Sequence, residues 1–427
     1  MNINIKELSN CKICNSSKIE EVLNLGEIYP SNFVTSSEGY TKAPLILVQF
    51  INCGLVQLQH TVTPDDMYRQ YWYKSNLNKS MVRDLRNIVE NIERRVHLDD
   101  NDIVVDIGCN DGTLFDFYTN RNMKRVGFDP ALNLAEKAKE HCTDFVNDYF
   151  AHYLYPYSKR TKVITSIAMF YDLENPNKFI SNIQNILTQD GIWVVQMTDL
   201  LSMFKVNAFD NICHEHLLYP TLRDMINLTR QNGLEVFEVD YNYVNGGSIR
   251  LYIGWKGMHP VLPSVLDSLE REQYYFSQFT YTHPNMPVFK STFSYFNNKI
   301  SMVKYITMDY LKDKKKYGQK IYGLGASTKG NTLLQLFNIT PDLLPYIVEV
   351  NSDKFGLKTI GTEIPIIPDY DIDEVVLTYF VLPWHFMSNL VSRYDRFLEM
   401  GGKFFAPLPN VPREVYKDDD TIVYSTV

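Results

Sequence analysis

Short apolar runs alternate with segments of helical periodicity along most of this 427-residue chain. Between residue 103 and about Trp255, runs such as 103–107 and 192–196 are separated by stretches in which apolar residues recur every three or four positions. Strands joined by helical crossovers form a parallel sheet with helices on both faces. A second series begins at Gly318, after two long helical stretches in residues 264–316. The pattern predicts two α/β domains joined by a helical connector.

The first 75 residues have a different pattern. Short strand-like runs at 21–25 and 45–50 are separated by turn residues such as Gly26 and Pro30. This segment contains too little apolar material for an independent core. We therefore expect a small N-terminal domain at 1–75, a central α/β domain at 76–255, and the connector with a C-terminal α/β domain at 256–427.

Composition narrows the kind of partner. Apolar residues make up 45% and charged residues 22%, as in a folded globular protein. The formal net charge of −8 gives no support for a nucleic-acid or membrane-surface partner, because both need a basic footprint. No apolar run approaches the ~20 residues of a membrane span, and the first eleven residues lack the apolar core of a signal peptide. We expect a cytoplasmic protein that acts on a small molecule.

The strand at 103–107 ends in a tight turn framed by two glycines and followed by a predicted helix from about Thr113. A pyrophosphate-binding turn has the spacing G-x-G-x-x-G, whereas here it is G-x-x-x-G with carboxylates that would repel a pyrophosphate. A sulfonium amino acid is cationic and suits such a turn. The pattern predicts a site for S-adenosylmethionine that includes Asp106, Gly108, Cys109, Asn110, Asp111 and Gly112.

Further cofactor ligands are expected at the ends of the next strands. Asp129 follows the second strand, where an acidic side chain in a nucleotide fold binds ribose hydroxyls. Asp148 and Phe150 follow what we interpret as a third strand, in position to meet the edge and face of an adenine ring. The alternative is that the glycines only mark turns of an α/β domain.

Three consecutive polar residues, His214, Glu215 and His216, indicate an acceptor side. A carbon nucleophile must first lose a proton, and histidine is the side chain whose pKa suits that task near neutrality. Metal binding and two structural histidines are the competing interpretations. Asn245, Gly246 and Gly247 form a polar loop or an ordinary turn, and Tyr71 with Tyr73 either covers a site or seals a domain junction.

Two other motifs indicate ligands outside the central domain. Cys11 and Cys14, with Cys53 further on, are typical of a zinc knuckle; Phe50 stands where a second Cys-x-x-Cys would begin, so an outside ligand such as His60, or no metal, stays open. Near the C-terminal domain's first strand, a second glycine turn at 323–331 carries hydroxyls and a lysine. Free N–H groups there predict phosphate binding by Ser327, Thr328, Lys329 and Asn331, unless the domain is inert.

Taken in their order along the chain, these motifs resemble those of the three-domain S-adenosylmethionine-dependent C-methyltransferases of nucleotide-linked deoxysugars. The resemblance implies a zinc-binding N-terminal domain, a class I Rossmann-like methyltransferase sheet, and a C-terminal Rossmann-like domain that helps to hold a nucleotide diphosphate sugar. It also implies that a 4-keto group acidifies the neighbouring carbon, that His216 takes its proton, and that the enolate attacks the methyl group. Glu215 would orient or hydrogen-bond, and Tyr73 would contact the sugar.

Some residues depart from the family's pattern. Besides Phe50, Cys213 stands where some members have an active-site tyrosine, and Ala168 and Asp172 stand where some have Asn and His. Our hypothesis is methylation of carbon 3 or 5 of a 4-keto-6-deoxysugar, with neutral donors such as Tyr73 or Asn245 at the enolate oxygen. The alternatives are an O- or N-methyltransferase and a non-catalytic protein that binds the sugar nucleotide and cofactor. We expect a monomer or a weak dimer.

Overall fold

The N-terminal unit is built from short antiparallel strands. The computed structural model describes residues 4–282, 288–370, 376–419 and 421–427, with the backbone alone for 280–282 and 288–289. Alternate side chains of the fourth strand, such as Leu45 and Leu47, are buried, as expected for a strand with one face on a core. The elements are β1 to β6 at Ile5–Glu7, Ile19–Ile28, Phe33–Val34, Ala43–Phe50, Val56–Leu58 and His60–Val62, and helix α1 at Pro64–Tyr68.

The central unit begins with helix α2, Lys79–Arg95, whose buried stripe includes Leu85, Val89 and Ile92. Strands and helices then alternate as the periodicity predicts. They are β7 Ile103–Ile107, β8 Lys124–Phe128, α3 Ala135–Lys139, β9 Asp144–Val146, β10 Thr161–Ile167, α4 Pro176–Ile186, β11 Leu187–Met197, α5 Leu200–Val206, β12 Leu218–Tyr219, α6 Leu222–Gln231, β13 Leu234–Asn242 and β14 Ser248–Trp255.

The central sheet has the strand order β13-β14-β11-β10-β7-β8-β9. The pairs from β11 to β9 are parallel, whereas β14 runs antiparallel to both β11 and β13. This is the doubly wound nucleotide-binding order with one reversed strand inserted near its edge. The predicted class I, Rossmann-like sheet is confirmed, and the reversed strand was not predicted.

One local prediction is wrong. The segment after Gly112 forms only a 3₁₀ turn at Thr113–Phe117, not an α-helix. Its sequence, Thr-Leu-Phe-Asp-Phe, combines a β-branched residue and two aromatic residues, which have lower helix propensity. The next strand begins at Lys124, so little chain is available for a longer helix.

The C-terminal unit follows two long helices and contains a second sheet of order β18-β16-β15-β19-β20-β21-β22. The first five of these strands are parallel, and β21 and β22 are antiparallel. The predicted second Rossmann-like α/β unit is therefore present. The elements are α7 Pro263–Thr282, α8 Val288–Lys316, β15 Ile321–Leu324, α9 Thr328–Phe337, β16 Ile347–Glu349, β17 Lys358–Thr359, β18 Ile366–Pro368, β19 Thr378–Val381, α10 Met387–Arg393, α11 Asp395–Glu399, β20 Lys403–Ala406, β21 Arg413–Asp418 and β22 Thr421–Thr426.

Short strand pairs attach the N-terminal unit to both of the others. Strand β12 of the central unit pairs with β5, and β17 of the C-terminal unit pairs with β3. Buried apolar residues of all three units also belong to one continuous core. The N-terminal unit therefore obtains from its neighbours the core that its own sequence lacks.

Candidate active site

Two cavities lie side by side at the carboxyl ends of the central strands. The smaller has a volume of about 380 Å³ and is lined by the turn after β7 and by the ends of β8 and β10. The larger, of about 510 Å³, lies between the central and C-terminal units. We call them the small and the large cavity. Their common wall is formed by Tyr71, Tyr73, Met81 and Ala168.

The glycine turn after β7 shapes the small cavity. Gly108 has a φ of 72°, a conformation that glycine adopts without strain. The Asp129 carboxylate accepts hydrogen bonds from the backbone N–H of Asn110 at 2.8 Å and of Ala131 at 2.9 Å, and so holds the turn. Of the residues predicted for the cofactor, those that line this cavity are Asp106, Gly108, Cys109, Asn110, Asp129, Asp148 and Phe150.

Asp111 and Gly112 belong to the same turn but are not in the cavity wall. The Asp111 carboxylate accepts hydrogen bonds from the Thr113 hydroxyl at 2.6 Å and from the Asn76 N–H at 2.9 Å. Gly112 has a φ of 79°, and a Cβ atom at this position would lie 2.9 Å from the His141 side chain. Both residues therefore stabilise the turn without contributing to the cavity wall.

The small cavity suits a cationic ligand with an aromatic group. Burial raises the pKa of Asp106 to about 7 and that of Asp129 to about 6. Burial also raises the pKa of Asp172 well above its usual range, and its Oδ1 atom has no hydrogen-bond partner among the described residues. An ammonium or sulfonium group would supply the missing opposite charge. The Phe150 ring, 5.1 Å from that of Phe128, adds an apolar surface for a purine.

His216 lines the large cavity and is 7% exposed. Its Nδ1 atom lies 2.8 Å from the Asn211 carbonyl oxygen. A carbonyl only accepts hydrogen bonds, so Nδ1 carries the proton and Nε2 keeps its lone pair. Burial, and secondly the charge of Lys329, lower the pKa of His216 to about 3. The imidazole is neutral at physiological pH and can accept a proton at Nε2.

Glu215 precedes this histidine in the same cavity wall. Its backbone carbonyl accepts a 2.7 Å hydrogen bond from the Tyr68 hydroxyl, and burial raises the pKa of its carboxyl group to about 7, against the charge of Lys329. Ligand atoms of Cys213, Glu215 and His216 lie within 4.8 Å of one another. These three could hold a metal ion, although the ammonium group of Lys329 would repel one.

His214 lies apart from both cavities. Its Nε2 atom is 3.2 Å from the carbonyl oxygen of Ala43 in β4, and the side chain is buried against that strand. The two histidines that the sequence places together therefore face different surroundings. The structure brings Glu215 and His216 to the large cavity, and it leaves His214 a structural contact with the N-terminal unit.

The second glycine turn brings Ser327, Thr328 and Lys329 into the wall of the large cavity. The Ser327 hydroxyl accepts the N–H of Gly330 at 3.0 Å and thus caps α9. Asn331 is outside the wall and fully buried, and its amide donates to the Asn32 carbonyl at 2.8 Å. Asn331 therefore joins the C-terminal and N-terminal units and does not face the cavity.

Only one residue of the polar loop at 245–247 reaches the large cavity. Asn245 lines it, whereas Gly246 and Gly247 do not. A Cβ atom on Gly246 would lie 2.4 Å from the Trp384 ring, and one on Gly247 would lie 3.1 Å from the Ser202 Cβ. Gly246 allows close packing between the central unit and the loop after β19, and Gly247 allows the polar loop to pack on α5.

The comparisons with known proteins agree with this architecture. Three family models match, described as "Putative zinc binding domain" at residues 11–68, "Methyltransferase domain" at 77–239 and "C-methyltransferase C-terminal domain" at 243–409. The trans-aconitate 2-methyltransferase of Rhodopseudomonas palustris is 31% identical over 206 residues, which cover 42% of this chain and 77% of the relative. The chain belongs to the S-adenosylmethionine-dependent methyltransferases. Its cofactor is S-adenosylmethionine.

A second relative matches this methyltransferase along nearly its whole length. The C-methyltransferase NovU of Streptomyces niveus is 26% identical over 422 residues, which cover 96% of this chain and 98% of the relative. Among solved structures, magnesium protoporphyrin IX methyltransferase of Synechocystis matches with a TM-score of 0.33 and 12% identity, over 40% of this chain and 82% of that one. In the described part of the methyltransferase, none of the helices combines the length and apolar character of a membrane span.

The N-terminal unit of the methyltransferase brings the predicted metal ligands together. The sulfur atoms of Cys11, Cys14 and Cys53 lie within 4.8 Å of one another, and His60 is not part of the group. Among the described residues, no fourth histidine, cysteine or carboxylate completes the cluster, and Phe50 is buried in β4. These three cysteines could hold a zinc ion, for which thiolates are preferred ligands.

The sequence did not single out every polar residue in the large cavity. His385 lines its wall, and the Nδ1 atom of His385 is buried without a hydrogen-bond partner among the described residues. Burial lowers the pKa of this imidazole well below its usual range. One signal was available, because His385 follows the carboxyl end of β19, and ligands of open α/β sheets bind at that edge.

Proposed function

We propose that this methyltransferase methylates carbon 3 or 5 of a nucleotide-linked 4-keto-6-deoxysugar through an enolate. The observation that carries the proposal is the neutral His216 imidazole in the wall of the large cavity. Its Nδ1–H donates to the Asn211 carbonyl, so the lone pair of Nε2 can accept a proton. Transfer to carbon is further supported by the family model for the C-terminal unit and by the similarity to NovU. The base removes a proton from the carbon next to the ketone.

The small cavity is the proposed site of S-adenosylmethionine. Asp129 would bind the ribose, Phe150 with Asp148 the adenine, and Asp106 with the backbone of Gly108 the amino-acid part. Bound S-adenosylmethionine supplies an electrophilic methyl group for the substrate carbon. Asp172, whose Oδ1 lacks a described partner, would face the positive charge of the ligand. The shared wall of the two cavities supports a short path between donor and acceptor.

The large cavity is the proposed site of the sugar nucleotide. Its volume of about 510 Å³ is within the range of cavities that enclose ligands of this size. Tyr73 has a buried hydroxyl without a described hydrogen-bond partner, so it is free to bind the sugar, and Tyr71 and Asn245 line the same wall. The N-terminus of α9, with Ser327 and Thr328, would face the diphosphate.

The test separates proton removal from methyl transfer. A 4-keto-6-deoxysugar nucleotide is incubated in deuterated buffer with S-adenosylhomocysteine, which has no methyl group to give, and exchange at carbons 3 and 5 is followed by NMR. We expect exchange in the native protein and a loss of about 100- to 10,000-fold in H216A, because a general base typically contributes that much. Methyl transfer with S-adenosylmethionine should fall in parallel.

The matched control is H97A, because the His97 side chain is 88% exposed and outside both cavities. Exchange and methylation that persist in H216A would contradict the assigned base. A product methylated on oxygen or nitrogen would favour the second kind of methyltransferase. Tight cofactor binding without turnover on any keto sugar would favour a binding protein.

A further inference from the structure

The lysine of the second glycine turn, Lys329, lines the large cavity. We propose that Lys329 is a catalytic residue, whose ammonium group binds the keto oxygen and stabilises its negative charge when the neighbouring proton leaves. The inference rests on the proposed function. It assigns this residue to the reacting end of the sugar instead of the diphosphate.

The groups around Lys329 carry the assignment. It shares the cavity wall with His216 and Glu215, the two residues beside the reaction. Burial lowers the pKa of its ammonium group, against the opposing charges of Asp210, Glu215 and Asp172. These carboxyl groups belong to the central unit, whereas the lysine belongs to the C-terminal unit. The carboxyl groups of the central unit therefore face a half-buried cation of the C-terminal unit beside the proposed base.

The ammonium group is also available for a ligand. Within the described ranges, no carboxylate lies within 4.0 Å of the Lys329 nitrogen and no hydrogen bond of that nitrogen is present. Two other lysines of the same wall are engaged: Lys74 Nζ lies 2.6 Å from Asp353, and Lys354 Nζ donates to the Ala326 carbonyl at 2.7 Å. A half-buried cation that lines a cavity without a direct partner is a candidate for binding a negatively charged ligand group.

The surroundings are unsuited to a diphosphate. Beside the Lys329 ammonium group, a diphosphate would lie next to the carboxyl groups of Asp172, Asp210 and Glu215, and each of these that is ionised would repel it. An enolate oxygen carries one negative charge, which is absent from the ketone and develops in the transition state as the proton leaves, so a cation there stabilises the transition state more than the bound ketone. The diphosphate would then lie at the hydroxyl groups of Ser327 and Thr328 and at the exposed Arg393, which line the same cavity.

The proton-transfer step is balanced without another reactant. His216 Nε2 takes the proton from the carbon next to the ketone, and the electrons of that C–H bond form the carbon–carbon double bond. The carbonyl π electrons move to the oxygen, where Lys329 meets the new charge. The Tyr73 hydroxyl, which lacks a described hydrogen-bond partner, supplies a second donor in the shared wall. In the deuterium-exchange assay, the reverse of this step returns a deuteron from His216 to the same carbon.

The experiment compares K329M with the charge-retaining K329R. Exchange is measured at saturating sugar nucleotide with S-adenosylhomocysteine present, and the Kd of the free nucleoside diphosphate is measured by calorimetry. For K329M we expect exchange to fall about 100- to 1,000-fold and the nucleoside diphosphate Kd to stay within twofold. Exchange in K329R should be at least tenfold faster than in K329M, because the positive charge is retained. Binding of S-adenosylhomocysteine by both variants shows that they are folded.

The pH profile supplies a second readout, which reports the charge of Lys329 beside His216. Because Lys329 contributes to the low pKa of His216, its removal raises that pKa, and the residual exchange of K329M should lose rate at a higher pH than that of the native protein. Exchange within threefold of native in K329M, or a nucleoside diphosphate Kd raised tenfold or more, would overturn the assignment. Absence of exchange in the native protein would instead refute the proposed function, and this inference with it.

Discussion

The pH dependence of exchange follows from the environment of His216. Its pKa is lowered from 6.5 to about 3, so the base is lost only when the pH falls through a very acidic range. An ordinary histidine would be about nine-tenths protonated at pH 5.5, and exchange would fall about tenfold between pH 8 and 5.5. With the lowered pKa, we expect a change of less than about twofold over the same interval.

The assay is deuterium exchange at saturating sugar nucleotide and S-adenosylhomocysteine, measured from pH 5.5 to 8 in the native protein and in E215Q. Glu215 is the informative comparison, since burial raises its pKa to about 7 and its carboxylate would be an alternative base. That carboxylate is about 97% protonated at pH 5.5. A fall of about 30-fold between pH 8 and 5.5 in the native protein, together with a loss of exchange in E215Q, would refute His216 as the base.

Three further predictions concern the cofactor, the metal and stability. Binding of S-adenosylmethionine should weaken as the pH falls from 8 to 5, because Asp129 has a pKa of about 6 and its carboxylate accepts hydrogen bonds from the ribose hydroxyls better than the protonated carboxyl group does; calorimetry on D129N should show weaker and less pH-dependent binding. Protein prepared under reducing conditions should hold about one zinc ion per chain, and C14S should lose it in elemental analysis. The pKa of His214 is lowered by burial to about 4, so the unfolded chain binds the proton more readily and stability falls between pH 6.5 and 4; in urea unfolding, H214Q should remove on the order of 3 kcal/mol of that dependence.

Local patterns were sufficient for most elements of the fold. The strand β7 and the glycine turn after it depend on a continuous apolar run, a carboxylate and two glycines, all within ten residues. The short strands β3, β5 and β12 were not predictable in the same way. Two or three residues carry too little periodicity, and these strands exist because partners from other units pair with them. Their contribution to domain assembly depends on contacts distant in sequence.

The roles of the site residues also depend on contacts that are distant in sequence. His214 and His216 are equivalent in a sequence pattern, and only the structure shows that His214 is buried against the Ala43 carbonyl whereas His216 lines the large cavity. For Lys329, the glycine turn and adjacent hydroxyls indicated a phosphate. The ligand of a buried cation depends, however, on the charges that surround it, and here the central unit supplies carboxylates. If exchange and nucleotide binding respond to K329M as expected, the C-terminal unit contributes to catalysis as well as to substrate binding, and methylation would depend on the interface between the two units.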